Sequence, residues 1–286
     1  MKILITGAKG MLAQAVKAKF EKENELILTD VDELDITNLE SVKTFVSNTR
    51  PDYIINCAAY TAVDKAEENE ELAEKINAIG PRNLAISAKE SDCVLVHIST
   101  DYVFPGDLDV SKSYTETDKT GPVTAYGRTK LHGEQEVTSN CDKYYIFRTA
   151  WLYGEGKNFV RTMLALSEKN DVINVVCDQH GSPTYTEDLA SIIYQAIEKK
   201  IPFGTYHSTN QNFTTWSEFT KKIFEFSNIK TKVNPITSEE YEKLFPTSAK
   251  RPANSQLSKD KLLGQGIEIP VWEEALKRYL TKEGRI

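Results

Sequence analysis

The sequence has few cysteines and few histidines, and neither type is spaced like the ligands of a metal site. Among 286 residues there are four of each, with no C-x-x-C pair and no histidines at metal-ligand spacing. Their positions are Cys57, Cys93, Cys141 and Cys177, and His97, His132, His180 and His207. We therefore expect buried free thiols and no metal site.

Long apolar runs and an excess of positive charge are also missing. No stretch approaches the about 20 apolar residues that a membrane span needs, and the opening "MKILITGAKG" lacks the cleavage site of a signal peptide. A formal net charge of -7 and a pI near 5.3 argue against a nucleic-acid surface. We therefore expect a soluble, cytoplasmic protein that binds neither nucleic acid nor membrane and has a small-molecule partner.

The first half of the chain alternates short apolar runs with amphipathic helical patterns. Strands without polar alternation, separated by helices, are typical of a parallel sheet buried on both faces. Right-handed crossovers then give an α/β fold with a Rossmann-type doubly wound sheet. The predicted strands are 2–6, 26–28, 53–56, 94–99 and 144–148, and the predicted helices are 11–22, 38–49, 70–89 and 124–138.

After residue 150 the alternation weakens, which predicts a second, smaller unit. We expect a dinucleotide-binding Rossmann domain in residues 1–150, rejoined by about 172–199. A smaller mixed α/β substrate lobe takes most of 151–286 and is interleaved with the first domain. The strand 173–176 and the helix 186–199 are expected to return to the first sheet. The other predicted helices are 159–168, 215–227 and one from about 271.

A glycine turn, "ITGAKGMLA" (5–13), follows the first strand and opens the first helix. Gly7 and Gly10 let the backbone approach a pyrophosphate at the helix N-terminus, where free N–H groups favour anions. Ala13 stands in place of the usual third glycine. The same turn also occurs without a ligand, but its place after the first strand favours a dinucleotide. The candidate cofactor contacts here are Gly7, Lys9, Gly10, Met11 and Leu12.

Charged residues near the second strand bear on which nicotinamide cofactor is bound. Asp30 lies where a carboxylate binds an adenosine ribose, which favours NAD, although it also reads as a turn carboxylate. Lys9 favours NADP, because its ammonium can meet a 2′-phosphate. Small residues in "NCAAY" (56–60) leave room for a cofactor beside the backbone. The further candidate cofactor contacts are Asp35, Ile36, Ala58, Ala59 and Tyr60.

Two motifs later in the chain carry acid–base chemistry. The buried strand 94–99 ends in "ISTDYVF", and the carboxyl ends of strands in doubly wound sheets hold ligands. Ile98 is therefore expected to face the cofactor, and Thr100, Asp101 and Tyr102 the substrate. An alternative is a turn capped by hydroxyl and carboxylate groups.

In "YGRTK", Tyr126 and Lys130 share one helix face at i and i+4. A phenol with its usual pKa near 10 donates a proton more readily when an ammonium group stabilises the phenolate. Lys130 can supply that charge and hold the nicotinamide ribose, so both residues are also expected at the cofactor. Thr100, Tyr126 and Lys130 together form a candidate proton-transfer set for ketone reduction.

In these motifs the chain resembles the extended short-chain dehydrogenase/reductase family. The matching stretches run in order through nearly the whole sequence: "GAKGMLA", "NCAAYTAVDKAEE", "ISTDYVFPG", "YGRTKLHGE", "FRTAWLYG", "DQHGSPT" and "KRPANSQL". Within the family, the resemblance implies reduction of the 4-keto group of dTDP-4-dehydro-L-rhamnose to dTDP-L-rhamnose, a step toward cell-surface polysaccharide. It implies Tyr126 as proton donor, Lys130 as its tuner and Thr100 at the substrate carbonyl.

The resemblance also implies contacts with the sugar nucleotide and a choice of cofactor. Thr100, Asp101 and Trp151 are expected at the substrate, beside Tyr102, and Arg251 is a candidate for the phosphates. An alternative for Trp151 is an aromatic residue in the core between the lobes. An alternative for Arg251 is a residue in a surface ion pair. The cofactor expected is NADPH, with NADH also accepted.

Some relatives form a dimer bridged by magnesium through a carboxylate of the first helix. Here Ala15 stands near that place, so we expect a monomer or a homodimer without that bridge. The loop 105–123 reads as a solvated connection or as a mobile lid, and we favour the connection.

Two other functions share these motifs. A nucleotide-sugar epimerase or dehydratase keeps NAD bound and needs further acid–base groups, whereas Tyr102 and Val103 follow the aspartate here. A non-catalytic, dinucleotide-binding regulatory subunit, resembling that of methionine adenosyltransferase, retains the same residues without turnover. Turnover of nicotinamide by the isolated chain separates the enzyme from this scaffold.

Overall fold

The computed structural model describes residues 1–286. Its strands are β1 (Lys2–Thr6), β2 (Glu25–Thr29), β3 (Tyr53–Asn56), β4 (Val94–Thr100), β5 (Tyr144–Thr149), β6 (Leu152–Tyr153), β7 (Val172–Val176), β8 (His180–Gly181), β9 (Thr184–Tyr185), β10 (Gly204–His207), β11 (Thr214–Thr215) and β12 (Lys232–Ile236). The long strands are rich in β-branched and aromatic residues, as expected for this geometry.

The helices are α1 (Met11–Phe20), α2 (Leu39–Thr49), α3 (Val63–Ala66), α4 (Glu70–Glu74), α5 (Gly80–Glu90), α6 (Ala125–Asn140), α7 (Phe159–Ser167), α8 (Thr186–Glu198), α9 (Trp216–Phe226), α10 (Ser238–Leu244), α11 (Asp260–Leu263) and α12 (Trp272–Lys282). Every predicted helix overlaps an observed one. The prediction 70–89 covers α4 and α5, which are joined by a π-helical turn at Lys75–Ile79.

Six parallel strands form the central sheet, in the order β10-β5-β4-β3-β1-β2. The chain moves from β1 to β2 on one side and then crosses to β3 on the other side of β1. This reversal is the topological switch point at which doubly wound sheets bind ligands. The predicted Rossmann-type sheet is confirmed.

Burial explains why these strands lie at the centre of the sheet. In β3 and β5 every residue after the first is buried, so both faces are covered. One apolar cluster joins the sheet to α1 and α8, and another joins it to α2, α5 and α6. The carboxyl ends of the strands are left between these layers and open to the site.

The expected return of the strand 173–176 to the first sheet is wrong. Residues Val172–Val176 pair in parallel with β12 in a separate two-stranded sheet. The physical reason is visible in the burial, since Val172 and Asn174 are exposed whereas Ile173 is buried. Such a strand is covered on one face only. The sixth strand of the central sheet is β10, which pairs with β5.

A third apolar cluster lies around α7, α9 and α12, away from the central sheet. Helix α8 instead packs against α1 beside the central sheet. After residue 150 the chain therefore crosses more than once between this cluster and the clusters of the sheet. The division into domains at residue 150 stays a prediction. None of the helices is both long enough and apolar enough to cross a membrane.

Candidate functional site

A cleft runs along the carboxyl ends of β1, β3, β4 and β5. It consists of two adjoining cavities of about 490 and about 300 Å³. Both cavities are lined by Gly10, Cys57, Ala58 and Ala59, so these residues mark where they meet. The larger cavity reaches Tyr126, and the smaller one lies beside the end of β2. An elongated cleft of this form at the switch point suits a dinucleotide with a second ligand at one end.

The glycine turn packs directly against the backbone that follows β3, and no side chain fits between them. Gly7 has φ +65°, and a Cβ there would lie 2.7 Å from both N and Cα of Ala58. Gly10 caps α1 without any side-chain hydrogen bond to the first turn. The first N–H groups of α1 are therefore open to an anion. These residues fit the pyrophosphate of a dinucleotide.

At the other side of the turn, two carboxylates surround Lys9. Its backbone N–H donates to Asp30 Oδ2 over 3.0 Å, and this bond lowers the pKa of the Asp30 carboxyl. Its ammonium group lies 3.0 Å from Asp32 Oδ2, with both side chains largely exposed. Asp30 lines the smaller cavity, whereas Lys9 is not among its lining residues.

The structure brings most of the predicted cofactor residues to the cleft. Tyr60 is the exception besides Lys9, because it packs against a small apolar cluster of Ala66, Ala73 and Ala125. The side chain of Asn77 binds both backbone groups of Tyr60, at 2.8 and 3.1 Å. Tyr60 therefore lies outside the lining of the cleft. The residues that line the cleft are Gly7, Gly10, Met11, Leu12, Asp30, Asp35, Ile36, Ala58, Ala59, Ile98, Tyr126 and Lys130.

Helix α6 brings Tyr126 to the end of β4. Thr124 caps the helix by accepting the N–H of Gly127 over 3.0 Å. A Cβ on Gly127 would lie 2.3 Å from the Tyr102 carbonyl oxygen, so glycine allows the helix to sit directly against this turn. Burial raises the pKa of the Tyr126 phenol, and the neighbouring Thr100 hydroxyl opposes that rise. The phenol is therefore held in its protonated form, as a proton donor needs to be.

Lys130 lies one turn further along α6, with 2% of its surface exposed. Its Nζ donates to the carbonyl oxygen of Ile98 over 2.6 Å and lies 3.5 Å from His97 Nε2. Burial lowers the pKa of the Lys130 ammonium group to about 8, and Glu134 opposes the shift. Lys130 can therefore change its protonation state near neutral pH.

Asp101 is 3% exposed, and its carboxylate is bonded within the protein. Oδ1 accepts the Thr100 hydroxyl over 2.9 Å, and Oδ2 accepts the hydroxyl of Ser255. Burial raises the pKa of the Asp101 carboxyl to about 6. Asp101 borders the larger cavity, but in this arrangement it fixes Thr100 and ties β4 to the C-terminal part of the chain.

The predicted aromatic contact Trp151 borders the same cavity. It has φ 48° and stacks on Trp216, with ring centroids 3.6 Å apart and planes 12° from parallel. A non-glycine residue in this conformation is held there at an energetic cost, which is a feature of ligand sites. Trp151 is thus both a contact between the lobes and a wall of the cleft.

Arg251 forms the ion pair that the sequence left as an alternative. Its Nη2 lies 3.2 Å from Asp64 Oδ1, and its Nη1 donates to the Tyr102 hydroxyl over 3.2 Å. Tyr102 lines the cleft, so Arg251 stands one residue behind its wall. Direct contact with a phosphate requires the guanidinium to turn past Tyr102.

Several residues at the site escaped the sequence analysis. Lys157 lines the larger cavity but follows a two-residue strand that leaves no periodic signal. His97 lies inside β4, where it reads as part of a buried run. Ser255 bonds Asp101 across 154 positions of sequence, and no local pattern reveals such a pair. Nowhere do three or more His, Cys, Asp or Glu side chains gather as metal ligands.

Comparison with known proteins shows which proteins this chain resembles. The family model described as the RmlD substrate binding domain matches residues 1–284. The chain is 38% identical to dTDP-4-dehydrorhamnose reductase of Salmonella typhimurium, over 99% of this chain and 98% of that protein.

Two solved structures extend the likeness. A dTDP-4-dehydrorhamnose reductase from Clostridium acetobutylicum is 47% identical with a TM-score of 0.94, covering 99% of this chain and 100% of its own. The Bacillus anthracis dTDP-4-dehydrorhamnose reductase in complex with NADP is 42% identical with a TM-score of 0.93, covering 98% of this chain and 99% of its own.

Proposed function

This chain belongs to the RmlD substrate binding domain family, and on that premise we propose that it is a reductase of nucleotide-sugar biosynthesis. It reduces the 4-keto group of dTDP-4-dehydro-L-rhamnose to give dTDP-L-rhamnose, with NADPH as cofactor. The observation that carries the proposal is the meeting of Thr100, Tyr126 and Lys130 in one cleft with the open glycine turn. The names of full-length relatives at 38% and 47% identity support the choice of reaction.

Different residues of the chain suit different parts of the cofactor. The turn at Gly7 and Gly10 offers the free N–H groups at the start of α1 to the pyrophosphate. Asp35 and Ile36 border the smaller cavity, which suits the adenosine. Lys130 and Ile98 border the larger one, which suits the nicotinamide ribose. When bound, NADPH supplies the hydride that the ketone carbon receives.

Tyr126 then supplies the proton that the ketone oxygen needs. Its phenol is protonated at neutral pH, because burial raises its pKa. Thr100 lies beside it, and its hydroxyl, which donates to Asp101 in the free protein, binds the same oxygen when its hydrogen turns from Asp101 to the ketone. A nearby Lys130 ammonium group stabilises the phenolate left after transfer. Tyr126 thus donates the proton. Thr100 binds the ketone oxygen, and Lys130 stabilises the negative charge left on Tyr126.

The other end of the larger cavity suits the dTDP group. Trp151 offers an aromatic surface at the wall, and Lys157 offers a positive charge at the opening. Arg251 is the second cation of this region, and it leaves Asp64 when a phosphate approaches, since both compete for one guanidinium. Asp101 and Tyr102 complete the proposed substrate contacts.

NADPH is the cofactor we expect to be preferred, with NADH also accepted. The Lys9 ammonium, which binds the neighbouring Asp32, can turn to meet a 2′-phosphate, and the NADP complex of the Bacillus anthracis relative supports this choice. Asp30 can instead bind a free ribose hydroxyl. Because both groups are present, we expect a preference rather than strict selection.

The direct test is nicotinamide absorbance during incubation of the pure chain with dTDP-4-dehydro-L-rhamnose, comparing NADPH with NADH. We expect oxidation that requires both chain and sugar, faster with NADPH. Reactions without sugar and without chain are the controls. A chain that binds dinucleotide but never oxidises it would contradict the reductase and support a regulatory subunit. Cytoplasmic location and oligomeric state, a monomer or a homodimer without a metal bridge, stay predictions.

A further inference from the structure

A chain of buried polar side chains runs beneath the cleft, from β1 through β3 and β4 to α6. Thr6 Oγ1 donates to Asn56 Oδ1 over 2.7 Å. Asn56 Nδ2 lies 3.1 Å from His97 Nδ1, and His97 Nε2 lies 3.5 Å from Lys130 Nζ. His97 is fully buried and Lys130 is 2% exposed. Lys130 is therefore backed by a histidine that the proposed reaction has not yet used.

The hydrogen bonds of Asn56 determine which His97 nitrogen carries hydrogen. The backbone N–H of Ala58 donates to Asn56 Oδ1 over 3.1 Å, which identifies this atom as the amide oxygen. The amide nitrogen therefore faces His97, and an amide nitrogen only donates. His97 Nδ1 must accept, and burial lowers the pKa of His97 so that the ring is neutral. Its hydrogen then lies on Nε2 and points toward Lys130.

We propose that His97 is a positioning residue that presents Nε2–H to Lys130 and makes the amine form of Lys130 accessible during the reaction. If Lys130 is an ammonium group, its N–H groups and His97 Nε2–H are donors that face each other with no acceptor. If Lys130 is an amine, its lone pair accepts the hydrogen of Nε2. The Ile98 carbonyl holds Nζ in place in both forms. The inference rests on the proposed reductase function, in which Lys130 serves Tyr126.

The amine form of Lys130 arises when Lys130 returns a proton to Tyr126. After Tyr126 gives its proton to the ketone oxygen, the Lys130 ammonium can return one to the phenolate through a bridging water or hydroxyl, because Nζ itself bonds Ile98 and His97 and not the phenol. An N–H bond on Nζ breaks, an O–H bond on Tyr126 forms, and the lone pair left on Nζ accepts the hydrogen of His97 Nε2. A solvent proton later restores the ammonium, so no further reactant is needed.

Other groups around Lys130 do not replace His97 in this role. Glu134, one turn along α6, favours the ammonium form, but both its oxygens bind Arg148 of β5 at 2.9 and 2.7 Å. Tyr126 lies on the same helix, and Asp101 at the end of β4 is bonded to hydroxyl groups. His97 is the side chain that hydrogen-bond distances join to Nζ.

The tautomer is tested first, on the unaltered protein bound to NADP⁺. Ring ¹⁵N chemical shifts of labelled histidine distinguish a protonated nitrogen from a free one, and the signal missing in His97→Asn identifies His97. We expect a neutral ring with hydrogen on Nε2 from pH 6 to 9. A hydrogen on Nδ1, or a doubly protonated ring, overturns the proposal. This result requires no turnover, and the variant serves only to assign the signal.

The effect on Lys130 is tested by the pH profile of kcat/KM. His97→Asn keeps an acceptor for Asn56 but removes Nε2–H, so the ammonium of Lys130 becomes more stable. We expect the loss of activity at high pH to move upward by about half a pH unit or more. An unchanged or downward-shifted profile contradicts the proposal.

His207→Asn provides the matched control, because His207 is equally buried but is not bonded to Lys130. We expect it to lower stability without moving the profile. A profile that moves in both variants would mean that any buried cavity has the same effect, which also contradicts the proposal. If the wild-type chain oxidises no NADPH, the proposed function fails while the ¹⁵N result still stands.

Discussion

The two ends of the cleft are formed by different kinds of group, backbone at one end and polar side chains at the other. At the dinucleotide end, Gly7 meets the backbone of Ala58 so closely that no side chain fits between them. At the sugar end, Asp101 and Lys130 are buried polar groups that are already bonded to protein atoms. The first end recognises a ligand through exposed N–H groups and empty space, and the second through oriented side chains.

This difference teaches how each end should respond to substitution. Adding atoms harms the dinucleotide end, because the glycine turn already touches the backbone of Ala58 and must shift to make room. Removing atoms harms the sugar end, because a buried partner is left without its hydrogen bond. Changes at the first end should appear in cofactor affinity, and changes at the second chiefly in the rate of the chemical step.

The largest effect is expected for Tyr126→Phe. The variant loses the proton donor while it keeps the ring that packs against Tyr102. We expect the rate of reduction to fall by about 10²-fold or more, with little change in NADPH affinity. Single-turnover absorbance and a dinucleotide titration give the two quantities. A variant that reduces the ketone at nearly the wild-type rate would remove Tyr126 from the role of acid.

Lys130→Met should affect both ends, since Lys130 serves the phenol and the ribose. We expect the rate to fall by about tenfold or more, and NADPH affinity to weaken with it. Methionine fills a similar volume in the buried site, so packing is largely kept. Unchanged affinity for the dinucleotide would exclude the ribose contact and confine Lys130 to the proton step.

Gly7→Ala should weaken dinucleotide binding by about tenfold, because a β-carbon adds strain at positive φ and presses on Ala58. Gly284→Ala is the matched control. Gly284 has φ +67°, close to the +65° of Gly7, but a Cβ there meets nothing within 4 Å. Equal losses of affinity in both variants would show that strain alone, and not the space beside Ala58, is responsible.

The smallest effect is expected for Lys9→Ala. Its ion pair with Asp32 is exposed, and such contacts contribute little. We expect NADPH affinity to fall by about threefold and NADH affinity to stay unchanged. Titration of both cofactors measures the ratio. Equal changes for the two would show that Lys9 does not meet the 2′-phosphate.

The sequence predicted the central sheet well and the second lobe poorly, for a physical reason. β1, β3, β4 and β5 are continuous apolar runs, which a parallel sheet requires. β10 is a short segment, "GTYH", with no such run, so the strand 173–176 was placed in the sheet instead. Pairings of two residues, such as β6 with β9, leave no periodic pattern at all.

The same limit applies to the site. The sequence predicts Tyr126 and Lys130 together, because a spacing of four positions puts them on one helix face. The hydrogen bond from Ser255 to Asp101 depends on a contact across the fold, so the sequence predicts Asp101 as a substrate contact or as part of a capped turn, without this partner. The role of His97 cannot be predicted from sequence, because its partners Asn56 and Lys130 lie on other elements. They become known only when the positions of those elements are known.

The most direct test of the central claim follows the hydrogen itself. NADPH carrying two deuterium atoms at the nicotinamide C4 is incubated with the chain and dTDP-4-dehydro-L-rhamnose, and the sugar product is examined by mass spectrometry and NMR. The proposed reductase predicts one deuterium bound to C4 of the sugar for each NADPH oxidised. A product without deuterium, or a sugar converted while NADPH is left unoxidised, would contradict it.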